Sequence, residues 1–398
     1  MRKLLSGILV LAMLLSCCFA VSAEDVEQTE GLYTYTVTDG AATITKCDSS
    51  ISGDVTIPAT LGAYPVKAIG KLVFSFYTGV TSVTIPEGVT QIGASAFSGC
   101  YALKTVSIPS SVQTIGAYGF AYCTALTAVE IPNGVQTISN SVFSGCERLA
   151  TVKIPESVTV IGKEAFFGCT ALTGIQVAEN NPAYSSDAYG VLFNKAKTKL
   201  IQAPGKLADG YQIPDGVETM SGSAFANCTN LTAITIPDSL QALSANAFFY
   251  CENLKEVTLG SGLQSIGEYA FYNCKNLEKV TVAVGVQSIG KSAFAGCNQL
   301  AEVHYTGTRG QWAQIQIDDG NTALHNAKFE FSGALLPGDV NEDGFVDEED
   351  AIYLLQYILM PDLFPLEQAP DCDKNGILNE DDAIYLLQHV LMPDVFPL

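Results

Sequence analysis

The chain has 398 residues, 48% of them hydrophobic and only 15% charged, so a sizeable core can be buried and more than one domain is expected. Of its formal net charge of −21, −14 falls from Pro337 onward, where Lys374 is the only basic side chain. No basic patch or stripe occurs anywhere, which excludes nucleic acid and an anionic membrane surface as partners.

The N-terminus carries Arg2 and Lys3, an apolar run, and the small-residue ending Val21-Ser22-Ala23. That order fits a signal peptide over residues 1–23, cleaved after Ala23, and export of the protein. A second reading takes Leu14-Leu15-Ser16-Cys17 as a lipobox with Cys17 lipidated, which would tether the chain to a membrane. A transmembrane anchor is not expected, because the run falls short of the ~20 residues a span needs. Residues 24–54, with the alternating stretch YTYTVTDGAATITK, are expected to form a strand-rich N-terminal cap.

Residues 55–332 are periodic. VTIPEGVTQIGASAFSGCYALKT, starting at Val83, is followed in phase by VSIPSSVQTIGAYGFAYCTALTA from Val106, and copies recur at Val129, Val152, Ile234, Val257 and Val280. Two series of cysteines, Cys100, Cys123, Cys146, Cys169 and Cys228, Cys251, Cys274, Cys297, each step by 23. Such a period predicts one supersecondary unit per copy, stacked into a solenoid because no single copy can bury its own apolar face. Within a copy, Val106 and Ile108 are expected to point inward from a short strand that Pro109 ends. Near residues 175–212 an enlarged repeat predicts an inserted hairpin. Near 303–332 the cysteine phase is lost and the only tryptophan, Trp312, appears, which reads as a C-terminal cap closing the stack.

The unit IPxxVxxIGxxAFxGCxxL resembles the BspA-type, or Treponema-type, leucine-rich repeat, over roughly residues 32–332. That resemblance implies a solenoid used in adhesion or protein binding.

All eight in-phase cysteines occupy one equivalent site, so they are expected to form a ladder of reduced, inward thiols; rungs ~4.8 Å apart with parallel side chains lack the geometry of a disulfide. Cys47 and Cys372 are expected to lie outside that ladder. His304, His325 and His389 are too scattered for a triad or metal centre, and Asp318-Asp319 in IDDGN reads as a solvated turn rather than a carboxylate pair. The strand residue facing outward runs Thr84, Ser107, Glu130, Lys153, Thr235, Thr258, Thr281, His304, a polar row suited to solubility or to a polar ligand. Tyr101, Tyr122, Tyr250, Tyr269 and Tyr272 lie near turns, where they could stack on sugars.

After a short linker at 333–337, DVNEDGFVDEED and DCDKNGILNEDD each place oxygen-bearing side chains at loop positions 1, 3, 5, 9 and 12 with glycine at 6, the spacing by which a twelve-residue loop wraps one Ca²⁺. Asp339, Asn341, Asp343, the Phe345 carbonyl, Asp347 through water, and Asp350 form one set; Asp371, Asp373, Asn375, the Ile377 carbonyl, Asn379 and Asp382 form the other, for two Ca²⁺ ions. An EF-hand pair fits less well, because position 12 is aspartate and SGALLPG and PLEQAP do not read as entering helices. A helix instead follows each loop, DAIYLLQYILM and DAIYLLQHVLM. Residues 338–398 thus resemble a type I dockerin, which implies docking to a cohesin of a cellulosome-type scaffold. The resemblance points to Glu348, Glu349, Leu355 and Gln356 on one face, and Glu380, Asp381, Leu387 and Gln388 on the other, as cohesin contacts.

The expected protein is a mainly β solenoid of leucine-rich repeats followed by a small all-α module. It reads as a secreted, non-catalytic binder of an extracellular protein or glycan, held by calcium-dependent docking. The competing reading is a polysaccharide-degrading enzyme or an accessory carbohydrate-binding component of the same assembly.

Overall fold

The structure, a computed structural model, describes residues 26–333, 336–341, 345–363, 366 and 370–398. The signal peptide with its alternative Cys17 site, part of the linker, and Asp343 and Gly344 of the first acidic loop lie outside the described residues.

The period of 23 becomes a stack of short strands in two rows. In one row Ala128–Glu130, Thr151–Ile154 and Gly174–Val177 pair in parallel, with Val129 opposite Val152 and Val152 opposite Ile175. After the enlarged repeat the row continues through Ala233–Thr235, Glu256–Thr258, Lys279–Val282, Glu302–Tyr305 and Lys328–Phe331. The second row is built from two-residue strands such as Gln91–Ile92, Thr114–Ile115 and Thr137–Ile138, again one repeat apart. Both registers follow from the repeat, since each slip by one residue would turn the buried valines and isoleucines outward.

Between the rows the regular turns carry a compact segment containing the core phenylalanine and the cysteine. Its amides donate to the next turn: Ser95, Phe97 and Gly99 bond the carbonyls of Ala117, Gly119 and Ala121, each at 2.8 Å. The phenylalanines stack face to face, with Phe74, Phe97 and Phe120 at centroid spacings of 4.9 and 5.2 Å. Glycine in the recurrent Ile-Gly pair has a steric cause: a Cβ on Gly93 would lie 2.6 Å from the main-chain carbon of Gly70 in the preceding turn.

Val129 and Ile131 are buried, whereas the expected inward pair Val106 and Ile108 is only half-buried. The sheet of Gly53–Thr56, Val80–Thr84 and Thr105–Ser107 ends there, so the two residues sit at a break in the row.

The N-terminal strands Gln28–Glu30, Tyr33–Thr38 and Ala41–Cys47 pair antiparallel, and Ala41–Cys47 then pairs in parallel with Tyr64–Ile69, so they lengthen the second row. Asp39 and Gly40, at φ 51° and 72°, make the two-residue turn that Thr-Asp-Gly-Ala favours. The enlarged repeat forms an antiparallel set, Tyr184–Ser186, Leu192–Asn194 and Lys199–Gln202, in line with the expected hairpin. It divides the core into two clusters, one from Tyr33 to Leu192 and one from Val191 to Leu324.

At the far end, α1 (Arg309–Ala313) and α2 (Thr322–Asn326) replace the usual segments, while Gln316–Ile317 and Lys328–Phe331 still extend both rows. Trp312 packs against Tyr305 and Phe329, at centroid distances of 5.3 and 4.7 Å. Two further helices follow, α3 (Glu348–Leu359) and α4 (Glu380–Leu391). Among the described residues no helix is long and apolar enough to cross a membrane.

Candidate functional site

The eight in-phase cysteines are free and buried. Seven donate Sγ–H to a phenylalanine carbonyl in the turn before, as Cys100 does to Phe74 at 3.0 Å and Cys274 to Phe248 at 3.2 Å; Cys228, after the enlarged repeat, reaches Pro204 at 3.5 Å. Burial pushes the thiols of Cys100, Cys146 and Cys251 up to about 12. Cys47, expected apart from the ladder, is half-buried and its thiol donates to the Val73 carbonyl at 3.4 Å. Tyr77 fills the ladder position one repeat before Cys100, and its hydroxyl donates to the Cys47 carbonyl at 2.6 Å. Desolvation raises the Cys47 thiol to about 11.

Asp318 and Asp319 act through their main chain: the Asp318 amide donates to Ile289 at 2.9 Å and the Asp319 carbonyl accepts from Ser292 at 2.8 Å. The outward row keeps its expected orientation, with Thr235, Thr258, Thr281 and His304 in register on successive strands, exposed or half-buried. Tyr101 and Tyr122 are exposed, whereas Tyr250, Tyr269 and Tyr272 pack with Phe249 into one half-buried cluster.

The acidic C-terminal region is built twice over. Asp347 and Asn379 cap α3 and α4, and each cap is reciprocated by the residue at loop position 12, Asp350 or Asp382. Both of these aspartates are 0% exposed. Asp350 accepts the amides of Val340 (2.6 Å), Asn341 (3.1 Å) and Asp347 (2.9 Å). Asp382 accepts those of Cys372 (2.7 Å), Asp373 (3.3 Å) and Asn379 (2.9 Å). In the second loop, Asp371 also accepts from Asn375 and Gly376, and Asn375 Oδ1 accepts from Ile377. Carboxylate oxygens of Asp371, Asp373 and Asp382 lie within 4.8 Å of one another, an all-oxygen donor set of the chemistry that Ca²⁺ takes. Lys374 and Gly376, at φ 59° and 85°, turn the loop around that point.

The six core residues beneath the loops form three equivalent pairs: Val340 with Cys372, Ala351 with Ala383, Leu354 with Leu386. Cys372 is therefore a small apolar core residue. Burial first, then the charges of Asp382, Asp371 and Asp373, push its thiol up to about 12.

On the far side of the helix pair lies an apolar groove of about 440 Å³. Glu348, Leu355, Glu380 and Leu387 line it together, so residues expected on two separate faces share one surface. Glu349, Gln356, Asp381 and Gln388 do not line it. Ile352 and Ile384, 54% and 52% exposed, do, and were missed by sequence reasoning. Their signal was available, since residues three apart on a helix share a face and Ile352 precedes Leu355 by three.

No curated protein matches the chain. Among solved structures, a leucine rich cell surface protein of Faecalibacterium prausnitzii is 31% identical over 75% of this chain and 100% of its own, with a TM-score of 0.49. A leucine-rich repeat protein of Eubacterium ventriosum is 25% identical over 70% and 77%, with a TM-score of 0.54. The pneumococcal vaccine antigen PcpA, 20% identical over 78% and 98% with a TM-score of 0.53, shares the fold. The family model described as BspA type leucine rich repeat region matches six copies over residues 56–190 and 208–315, and it lapses where the hairpin interrupts the stack. By that match over more than half its length, and by the ladder and register it shows, the chain belongs to the BspA-type leucine-rich-repeat family.

Proposed function

We propose that this is an exported, non-catalytic binding protein, in which the repeat solenoid recognises an extracellular protein or glycan. Its C-terminal module is a dockerin that takes two Ca²⁺ ions and docks onto a cohesin-bearing scaffold. The observation that carries the docking half is the pair of fully buried carboxylates, Asp350 and Asp382, each gathering three main-chain amides at the mouth of a loop-then-helix unit. Those bonds hold the loop ends in a turn around the acidic side chains, and the second loop brings three carboxylates within 4.8 Å. Clustered carboxylates repel one another, so a divalent cation bound there would stabilise the folded loops. Asp371, Asp373, Asn375, the Ile377 carbonyl, Asn379 and Asp382 would hold one ion. Asp339, Asn341, Asp343, the Phe345 carbonyl, Asp347 and Asp350 would hold the other.

The groove between α3 and α4 supplies the docking surface in this reading. Its apolar floor, rimmed by Glu348 and Glu380, has the make-up of an interface core with a polar rim. The reading of the solenoid as a binder rests on family membership and on its polar strand face. Export rests on the sequence of residues 1–23 alone.

The test is a pull-down of the full chain by a panel of immobilised cohesins, in Ca²⁺ and in chelator. Retention by at least one cohesin in Ca²⁺, lost in chelator, is expected. Turnover of plant polysaccharides by the same preparation would sink the non-catalytic assignment.

A further inference from the structure

One tread of the solenoid is incomplete. In every regular turn the amides beside the core phenylalanine donate to the turn that follows: Ser141 and Phe143 bond Lys163 and Ala165, each at 2.9 Å, and Ser223 and Phe225 bond Ala245 and Ala247, at 3.1 and 2.8 Å. Even the last turn is closed, because the Phe294 amide donates to Asn321 Oδ1 at 3.0 Å. The turn of Glu164 and Phe166 is different. Its next repeat leaves for the hairpin, and neither amide has an acceptor among the described residues. Across the gap the Gly222 carbonyl, equivalent to Ala245, receives no donor either.

The enlarged repeat closes part of this gap with its own groups. The Tyr184 hydroxyl accepts from the Ile161 amide at 2.8 Å, and the Ala224 carbonyl accepts from the Ala203 amide at 2.7 Å, as it would from a regular tread, and from buried Gln202 Nε2 at 3.2 Å. Glu164 Oε1 accepts from Ser223 Oγ at 3.0 Å, joining the two walls. What remains open is a cleft of about 580 Å³, lined by Glu164, Phe166, Tyr184, Ile201, Met220 and Gly222, among others. Phe166, which lines the cleft, is 2% exposed. Lys163 and Lys199 also line the cleft, exposed, and neither pairs with a carboxylate among the described residues, in a chain of net charge −21.

We propose that this cleft is the solenoid's docking site for an extended, acidic peptide segment of a protein partner, which completes the tread. Its carbonyls take the Glu164 and Phe166 amides, one of its amides serves the Gly222 carbonyl, and its carboxylate meets Lys163 and Lys199. Adding a strand-like segment to an open main-chain edge gives affinity through backbone bonds and leaves side-chain pockets to set preference. The inference rests on the reading of the solenoid as a binding scaffold, and it chooses peptide over glycan because the amides equivalent to Glu164 and Phe166 bond main-chain carbonyls of the following tread in the regular turns.

The probe is the acetylated peptide Ser-Ala-Phe-Ser-Gly-Asp, which repeats a regular tread and adds a carboxylate, offered to the full chain while amide hydrogen exchange is followed. In the free protein the Glu164 and Phe166 amides are expected to exchange at least tenfold faster than those of Ser141 and Phe143. Saturating peptide should slow them at least tenfold and leave Phe97 and Phe143 unchanged. The surface variant K163E/K199E should weaken the peptide at least tenfold without altering exchange in the free chain. Glu164 and Phe166 amides that are already protected in the free protein, or that the peptide leaves unchanged, would overturn the proposal. Protection of the same amides by cellohexaose and not by peptide would overturn the peptide occupant while leaving the scaffold reading intact.

Discussion

The thiol of Cys123 donates to the carbonyl oxygen of Phe97, 26 residues earlier in the chain and one turn away in the stack, at 3.2 Å. The same link recurs at Cys146 and Phe120, and at Cys251 and Phe225, both at 3.1 Å. A residue that could have been a disulfide partner is thus a hydrogen-bonded core side chain with its proton held in place. For Cys100, Cys146 and Cys251 burial is the first cause of the raised pKa, and the native state keeps the proton that the unfolded state gives up near 9. Their contribution to stability is therefore complete below about pH 9 and is lost as pH rises toward about 12. Urea midpoints measured from pH 7 to 11 should fall only in the upper part of that range. A parallel titration with a thiol reagent should label few cysteines in the native protein and about ten once it is unfolded; thiols found already oxidised would refute the ladder.

Phe97 stacks between Phe74 and Phe120 with interplanar angles of 9° and 2°. Phe97→Ala removes both contacts and leaves a cavity in a close-packed column, so unfolding should become easier by ~3–5 kcal/mol. Tyr122, exposed at the neighbouring outer position, is the control: Tyr122→Ala should change stability by less than about 0.5 kcal/mol. Equal effects in chemical denaturation would contradict the packing described here.

On the proposed reading, removing Ca²⁺ should divide the molecule. The repeats bury their apolar residues in two clusters remote in sequence from the acidic loops, whereas α3 and α4 share a core of six buried residues among the described ones. Chelator should therefore lower the helical part of the circular dichroism and leave the solenoid's main unfolding transition in place. Asp382→Ala deletes the acceptor for three amides and one proposed ligand, so calorimetry should then count one bound Ca²⁺ in place of two. A single transition that shifts as a whole with chelator would disprove this division of labour.

The shared groove changes what a one-face substitution should do. Leu355 and Leu387 line the same surface, so Leu355→Lys places a charge in the floor that the proposed cohesin would meet in either of two half-turn-related orientations. Cohesin affinity should fall at least tenfold, ~1.4 kcal/mol or more. Gln356→Lys, off the groove, should change it by less than about threefold, and the opposite ranking in a binding titration would move the docking surface elsewhere.

Much of this was legible in the amino-acid sequence because a strict repeat turns local pattern into global structure. The 23-residue spacing of Cys100, Cys123, Cys146 and Cys169 determined the stack, the register of Val129 on Val152, and the outward row from Thr235 to His304. Each relation holds between equivalent positions of neighbouring copies, so no long-range information was needed. The duplicate loops likewise announced the helices that follow them. Only the tertiary structure decided what happens where equivalence fails. Cys47, outside the ladder, is tied to the cysteine's place in the first turn because Tyr77, which stands there, reaches across to its carbonyl. Glu348 and Glu380 meet on one groove because two copies packed face to face bring their helices together, which no linear spacing records. The open amides of Glu164 and Phe166 exist because the next repeat departs into a hairpin. A hydrogen-bonding group that its neighbour in the stack fails to satisfy is a property of two segments brought together in space, and the sequence of either one is silent about it.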